Sequence, residues 1–164
     1  MISMGTALIT RVIAFASTLM MSIAIVGSLP KFKERRQQYF AEAATDGNLH
    51  RMQLLNLAGV SVNSHDGRGA PLFLAAGGGR LNAVRYLLDQ GADVNALDST
   101  GNTALTEATY YGHVPVIKEL LVRGANINSL SAAGTPLDIA LSRNNDAVAD
   151  VLKHYGAKRA SELH

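Results

Sequence analysis

The sequence predicts an all-α protein in which one apolar helix precedes an array of four helix-turn-helix repeats joined by short β-hairpin-like turns. Two observations lead to this prediction. An uncharged apolar run lies near the N terminus, and glycine, asparagine, leucine and alanine recur at intervals of 32 or 33 residues. A period of roughly 20 to 50 residues is typical of repeat architectures. The 164 residues are enough for one domain or one short array.

The apolar run at residues 12–29 contains no charged residue. As a helix it would span roughly 27 Å, close to a bilayer hydrocarbon core of about 30 Å. We interpret residues 1–30 as a retained membrane anchor, because the run exceeds the usual signal-peptide core of roughly 7 to 15 residues. A cleaved signal peptide and a buried helix remain alternatives.

A basic segment, residues 31–39, follows the apolar run. Its bases are expected at the membrane surface, either on anionic headgroups or as a plain stop-transfer flank. These bases are Lys31, Lys33, Arg35 and Arg36. Because bases next to a span stay in the cytoplasm, we expect the remaining domain to face the cytoplasm, with a periplasmic or exported location as the alternative. The segment is also expected to be helical, with Phe32, Tyr39 and Phe40 available to pack.

Charge and composition exclude several classes of protein. The net charge is +2, but residues 40–164 hold ten Lys and Arg against twelve Asp and Glu, a net of −2, so we expect no nucleic-acid partner. Apolar residues make up 48% of the chain, which argues against disorder. There is no cysteine, which excludes disulfide scaffolds, thiolate zinc sites and cysteine nucleophiles.

The repeated positions define one structural unit. They are Gly59, Gly91, Gly124 and Gly156; Asn63, Asn95 and Asn128; Gly69, Gly101 and Gly134; Leu72, Leu105 and Leu137; and Ala75, Ala108 and Ala140. After a turn, each unit has a short helix such as Pro71–Gly77, a break at Gly79 and a second helix with apolar residues at helical spacing. A unit of this size cannot bury its apolar face alone, so neighbouring units must stack.

Several segments resemble the ankyrin repeat. They are residues 74–76 (LAA), 91–96 (GADVNA), 101–105 (GNTAL), 124–128 (GANIN) and 134–137 (GTPL). The resemblance implies an ankyrin domain at residues 40–158. Its four repeats lie near 37–65, 66–98, 99–131 and 132–158, and residues 159–164 form a C-terminal tail.

Both ends of the array depart from the family pattern. The first unit lacks the Thr-Pro-Leu motif, and the fourth has Asn144 where the others have a helix-break glycine. Atypical ends are typical of capping units. We expect the helix break at residues 144–146 to be the least regular of the array.

No motif points to catalysis, a metal or a cofactor. The five histidines form no HxH, HxxxH or HExxH spacing. Residues 77–80 (GGGR) lack the phosphate-loop pattern and fall between two helices. The sequence therefore predicts a protein that is not an enzyme and has no cofactor. For His113 the expected role is a hydrogen bond that stabilises a turn.

The resemblance implies that a protein partner binds at the turn tips and on the exposed face of the first helices. The tip positions are His65, Leu97 and Leu130. Tyr110 and Tyr111 lie on a first helix, and Tyr and Arg are favoured at interfaces. The supporting positions are Arg68, Ser99, Thr100, Asn102 and Arg143.

These expectations combine into a membrane-tethered interaction module, acting as a scaffold, as a regulator or as an accessory subunit of a membrane complex. The alternative is an exported ankyrin protein that acts as an inhibitor, an immunity factor or a stress-protection factor. An enzyme would need a convergent polar cluster, which the repeat positions do not provide.

Overall fold

The computed structural model describes residues 30–65 and 67–163. The predicted apolar span at residues 12–29 lies outside these residues. No helix among those described is long and apolar enough to cross a membrane. The chain divides into two units between Arg36 and Gln37. The stacked repeats belong to the second unit.

The described residues form eight α-helices and one 3₁₀ helix. They are α1 (Pro30–Asp46), α2 (Leu49–Leu57), α3 (Pro71–Gly77), α4 (Leu81–Asp89), α5 (Ala104–Tyr111), α6 (Val114–Val122), α7 (Pro136–Ser142), α8 (Asp146–His154) and the 3₁₀ helix Ala160–Glu162. The predicted all-helical repeat array is confirmed. The β-hairpin-like turns are not strands within residues 30–65 and 67–163, where a single β-bridge pairs Ser131 with Gly134.

Local sequence sets where the first helices begin. Pro71 and Pro136 each occupy the first position of a helix. The N–H that proline lacks would have no hydrogen-bond partner within the helix at this position. In α5 the Thr103 hydroxyl accepts from the N–H of Thr106, and the Thr106 hydroxyl accepts from the N–H of Thr103. This capping box satisfies two backbone donors that the helix cannot satisfy itself.

The helix breaks share one geometry, including the break at Asn144. Gly79 and Gly112 have φ of 68° and 81°, and Asn144 has φ of 54°. The N–H after Asn144 donates to the Ala140 carbonyl at 3.0 Å, which matches the bond of 2.9 Å from His113 to Ala108. The expectation that this break is the least regular is therefore wrong. Asparagine tolerates the left-handed conformation better than most residues other than glycine.

The repeated leucines and alanines predicted from the sequence lie in the core. Leu72, Leu105 and Leu137 are 2%, 0% and 4% exposed. They lie in α3, α5 and α7, which pack against each other in that order. Each fully buried leucine contributes about 1.5 to 3 kcal/mol. Adjacent repeats therefore bury each other's apolar faces, as predicted.

The first described helix buries one of the three aromatic residues expected to be available for packing. Phe40 is completely buried, whereas Phe32 and Tyr39 are 45% and 40% exposed. Successive residues of a helix point about 100° apart, so the turn that buries Phe40 directs Tyr39 toward solvent.

Three asparagines link each repeat to the next. The Asn63 amide donates to the Gly91 carbonyl at 3.2 Å, and its oxygen accepts from the Asp93 N–H at 3.0 Å. Asn95 makes the equivalent pair of bonds to the third repeat, and the Asn128 oxygen accepts from the Lys158 N–H at 2.8 Å. We call Asn63, Asn95 and Asn128 the asparagine ladder. It explains why these asparagines recur in the sequence.

The start of the predicted C-terminal tail is held against the last repeat. The Asp138 carboxylate accepts from the Ala160 N–H at 2.8 Å and pairs with the Arg159 guanidinium at 3.1 Å. The Thr135 hydroxyl donates to the Lys158 carbonyl at 2.9 Å. Partial burial would raise the pKa of Asp138, but the hydrogen bonds from Ala160, Arg159 and Thr135 outweigh it and lower the pKa to about 2.

We predict that Asn63→Ala lowers the free energy of unfolding by about 1 to 2 kcal/mol, because two hydrogen bonds between repeats are lost. Urea denaturation followed by circular dichroism measures the change. Asn82→Ala is the matched control, since Asn82 is exposed on α4. Equal stability of Asn63→Ala and the wild type would show that the ladder does not stabilise the stack.

We predict that Asp138→Asn lowers the free energy of unfolding by about 1 to 2 kcal/mol at pH 7. The carboxyl pKa is lowered on folding from its ordinary 3.8, so its contribution is present above that pH and is lost as the pH falls toward about 2. Denaturation curves of the two proteins should therefore converge in acid. Arg159→Gln, which keeps the Ala160 bond, should reproduce only part of the loss.

Candidate functional site

The predicted interface residues of the first helices form one row. Gly77, Tyr110 and Ser142 occupy equivalent places in α3, α5 and α7. Gly78, Tyr111 and Arg143 follow them at the ends of these helices. Since these helices pack side by side, their C-terminal ends lie next to each other. The stack thereby brings together side chains that are more than 30 residues apart in sequence.

An aromatic cluster lies at the centre of this row, formed by Tyr110, Tyr111, His113 and Arg143. The two tyrosine rings meet edge to face with centroids 5.1 Å apart. The Arg143 guanidinium carbon lies 4.1 Å from the centroid of the Tyr110 ring. The Tyr111 ring stacks on the His113 ring with centroids 6.2 Å apart. The structure thus brings together Tyr110 and Arg143, two residues that the sequence predicted separately.

The cluster is ordered by its own contacts while its rings stay exposed. Tyr110 and Tyr111 are 44% and 56% exposed. The cation–π contact of Arg143 is worth about 0.5 to 1 kcal/mol at an exposed position. No acidic residue of the described chain forms a salt bridge with Arg143. Its N–H donors are therefore available to a partner.

His113 fixes the base of the cluster to the preceding repeat. Its Nε2–H donates to the Gly77 carbonyl at 2.8 Å. Arg80 occupies the equivalent position one repeat earlier and donates from Nε to the Thr45 carbonyl at 3.0 Å. The predicted turn-stabilising bond of His113 is therefore also a bond between repeats. The comparison of Arg80 with His113 at equivalent positions could have indicated this role.

Glu107, which was not among the predicted site residues, lies on the same face of α5 as the tyrosines. Tyr110 and Tyr111 follow it by three and four residues, the spacing of neighbours on a helix surface. The Glu107 side chain is half-buried over Gly77: a methyl group added at Gly77 would lie 3.0 Å from its Cγ atom. Burial raises the pKa of the Glu107 carboxyl above its usual value, and the negative charge of Asp98 adds to this.

The predicted turn tips are exposed. Leu97 and Leu130 are 59% and 66% exposed, and His65 is exposed as well. They occupy equivalent places in successive turns, so the array presents two leucines and one histidine along the same edge. Their exposure is compatible with the predicted contact with a partner.

Two of the predicted supporting residues, Thr100 and Asn102, also shape a turn. The Thr100 hydroxyl donates to Asp98 at 2.8 Å, and the Asn102 N–H donates to the same carboxylate at 2.8 Å. Partial burial would raise the pKa of Asp98, but the bonds from Asn102 and Thr100 outweigh it and hold the pKa below its usual value. Thr100, Ser99 and Arg68 are exposed, and Asn102 is half-buried.

The remaining candidates concern ions and the membrane. Within residues 30–65 and 67–163, no group of three or more acidic or histidine side chains could hold a metal. Lys33 and Arg35 are exposed on α1, and Arg36 is partly buried. The side chain of Lys31 lies outside the described residues.

The fold and this exposed row define the chain as a helical repeat protein of the protein-interaction type. A family profile described as ankyrin repeats in three copies matches residues 40–131. The chain belongs to the ankyrin repeat family. The fourth helix pair, α7 and α8, lies beyond the matched residues but has the same architecture.

Three relatives illustrate the similarity. E3 ubiquitin-protein ligase XBAT33 of Arabidopsis thaliana is 37% identical over 79 residues, which cover 46% of this chain and 15% of that protein. DNA replication inhibitor plutonium of Drosophila melanogaster is 36% identical over 76 residues, covering 46% and 38%. Ankyrin repeat and SAM domain-containing protein 6 of Rattus norvegicus is 48% identical over 59 residues, covering 35% and 7%. The chain thus matches well under half of each relative.

We predict that Glu107→Gln raises Tm at pH 7. The pKa of this carboxyl is raised on folding above the ordinary 4.5, so its ionisation reduces stability at neutral pH. The difference in Tm between the variant and the wild type should shrink as the pH falls through the raised pKa toward 4.5. The wild-type carboxyl then becomes protonated in both the folded and the unfolded protein and is uncharged, as glutamine is. Thermal melts at several pH values measure this. Asp150→Asn, at an exposed position on α8, should leave Tm nearly unchanged.

Proposed function

We propose that the protein is a non-enzymatic interaction module that binds another protein through the turn tips and the exposed row of first-helix residues, centred on the aromatic cluster. The observation that carries this proposal is the Arg143 guanidinium 4.1 Å above the exposed Tyr110 ring, contributed by two different repeats. Tyrosine and arginine held in place before binding lose little conformational freedom on binding, which favours affinity.

The proposed role is that of a scaffold, regulator or accessory subunit. The names of the relatives describe a ubiquitin ligase, a replication inhibitor and a SAM-domain protein, and this chain matches only a part of each. What supports the binding role is the match of residues 40–131 to the ankyrin repeats, a family of protein-interaction folds.

Membrane tethering through residues 12–29, with the repeats facing the cytoplasm, is part of the same proposal. Its support is the uncharged apolar run and the four bases that follow it. The alternative is an exported inhibitor, immunity-type or stress-protection protein with the same array. N-terminal sequencing of the mature protein separates the two, because a start near Leu29 would mean that the apolar run is removed.

We predict that Tyr110→Ala with Tyr111→Ala weakens partner capture by at least about tenfold, the typical loss when interface anchors are truncated. Affinity capture from detergent extracts, compared with the wild type, measures binding, and thermal melts measure stability. Tm should change little, because both rings are about half exposed.

Tyr155→Ala is the matched control, since Tyr155 is 43% exposed at the end of α8 and should retain capture. If the double variant loses stability and binding together, the rings serve the fold. If capture is unchanged, the partner binds elsewhere.

A further inference from the structure

Glu107 occupies a position that is apolar in the two adjacent repeats and acidic in the first, where Glu42 accepts a hydrogen bond from the Gln38 amide at 3.2 Å. The equivalent residues are Leu74 in α3 and Ile139 in α7, and Ile139 is only 4% exposed. An acidic residue in such a place loses hydration without gaining the apolar burial that its neighbours gain. The aliphatic side chains of the adjacent repeats avoid this cost, and Glu42 offsets it with its hydrogen bond from Gln38.

The glycine of the preceding repeat provides the space that Glu107 fills. A methyl group added at Gly77 would lie 3.0 Å from Cγ and 3.2 Å from Oε1 of Glu107, so any larger residue at position 77 would displace the carboxylate. The equivalent position in the next repeat holds Tyr110. Gly77 and Glu107 therefore form one arrangement that spans two repeats.

The charge of Glu107 is not compensated within the protein. In the part of the chain that the structure describes, no side chain or backbone N–H donates a hydrogen bond to its carboxylate and no base pairs with it, in contrast to Glu119, which pairs with both Arg85 and Arg123. The nearby charge of Asp98 is also negative, as the raised pKa of Glu107 reflects. A positive charge from outside would satisfy this carboxylate and relieve its repulsion by Asp98.

The surroundings of Glu107 suit a long basic side chain. Tyr110 and Tyr111 lie on the same face of α5, and tyrosine rings attract ammonium and guanidinium groups. Toward the other neighbouring repeat, Arg143 covers Tyr110 and presents N–H donors that fit a carboxylate. A negative and a positive group thus flank the tyrosines in a fixed order along the array.

From this arrangement we propose that the partner is a polypeptide segment whose lysine or arginine pairs with Glu107 beside Gly77, while an acidic residue of the same segment pairs with Arg143. The inference rests on the proposed function, since it names the chemistry of the partner for that surface. The order of the two charges sets the direction in which the segment crosses the repeats.

The test is a selection of random peptides displayed on phage against the full chain in detergent micelles. Enriched peptides should contain lysine or arginine together with aspartate or glutamate at a constant separation. Glu107→Gln should weaken their binding by at least about tenfold, measured by fluorescence anisotropy, while its Tm rises. A merely structural role for Glu107 would not separate binding from Tm in this way.

Three variants complete the design. Gly77→Ala keeps the charge but shifts Glu107, so binding should weaken with Tm maintained or raised. Arg143→Gln should remove the preference for the acidic residue and leave the preference for the basic one. Asp150→Asn removes one negative charge far from the row and should bind as the wild type does.

The outcomes separate the two proposals. Peptides that need Tyr110 and Tyr111 but bind Glu107→Gln as tightly as the wild type would overturn the inference and leave the proposed function standing. Enriched peptides without basic residues would do the same. A selection in which no peptide depends on the two tyrosines would overturn both.

Discussion

The mutual burial of apolar faces between adjacent repeats is the constraint on which the rest of this structure depends. A helix pair of this size cannot shield its own leucines from water, so each pair is stable only against its neighbours. The asparagine ladder then fixes the register, because each amide bonds to backbone atoms of the following repeat. Burial supplies most of the free energy, and the ladder decides which of the possible alignments is used.

The same register creates the aromatic cluster. Tyr110 belongs to the third repeat and Arg143 to the fourth, and they meet only because α5 and α7 lie side by side. His113 reaches in the opposite direction, to the Gly77 carbonyl of the second repeat. A shift of one repeat against the next would separate these groups, so the recognition surface inherits its geometry from the core.

Periodicity predicted what the repeats have in common, and it missed what makes each repeat different. The buried leucines, the helix bounds around Pro71–Gly77 and the glycine breaks follow from residues that recur. The predicted irregular break at Asn144 is wrong because asparagine tolerates the left-handed φ that the regular turn requires. The prediction rested only on the loss of glycine at this position. The anchoring of the last repeat by Asp138 could not be predicted, since its partners Arg159 and Ala160 lie outside the repeated pattern.

Glu107 was missed for a further reason, which concerns how repeat proteins carry function. Its role is visible only when it is compared with the aligned residues Leu74 and Ile139 of the adjacent repeats, which are apolar. In an array with interactions between nearest neighbours, the free-energy cost of one buried charge is confined to the interfaces of its own repeat. The remaining interfaces keep the stack folded. A surface position can therefore depart from the optimum for stability and specialise for binding without endangering the whole chain.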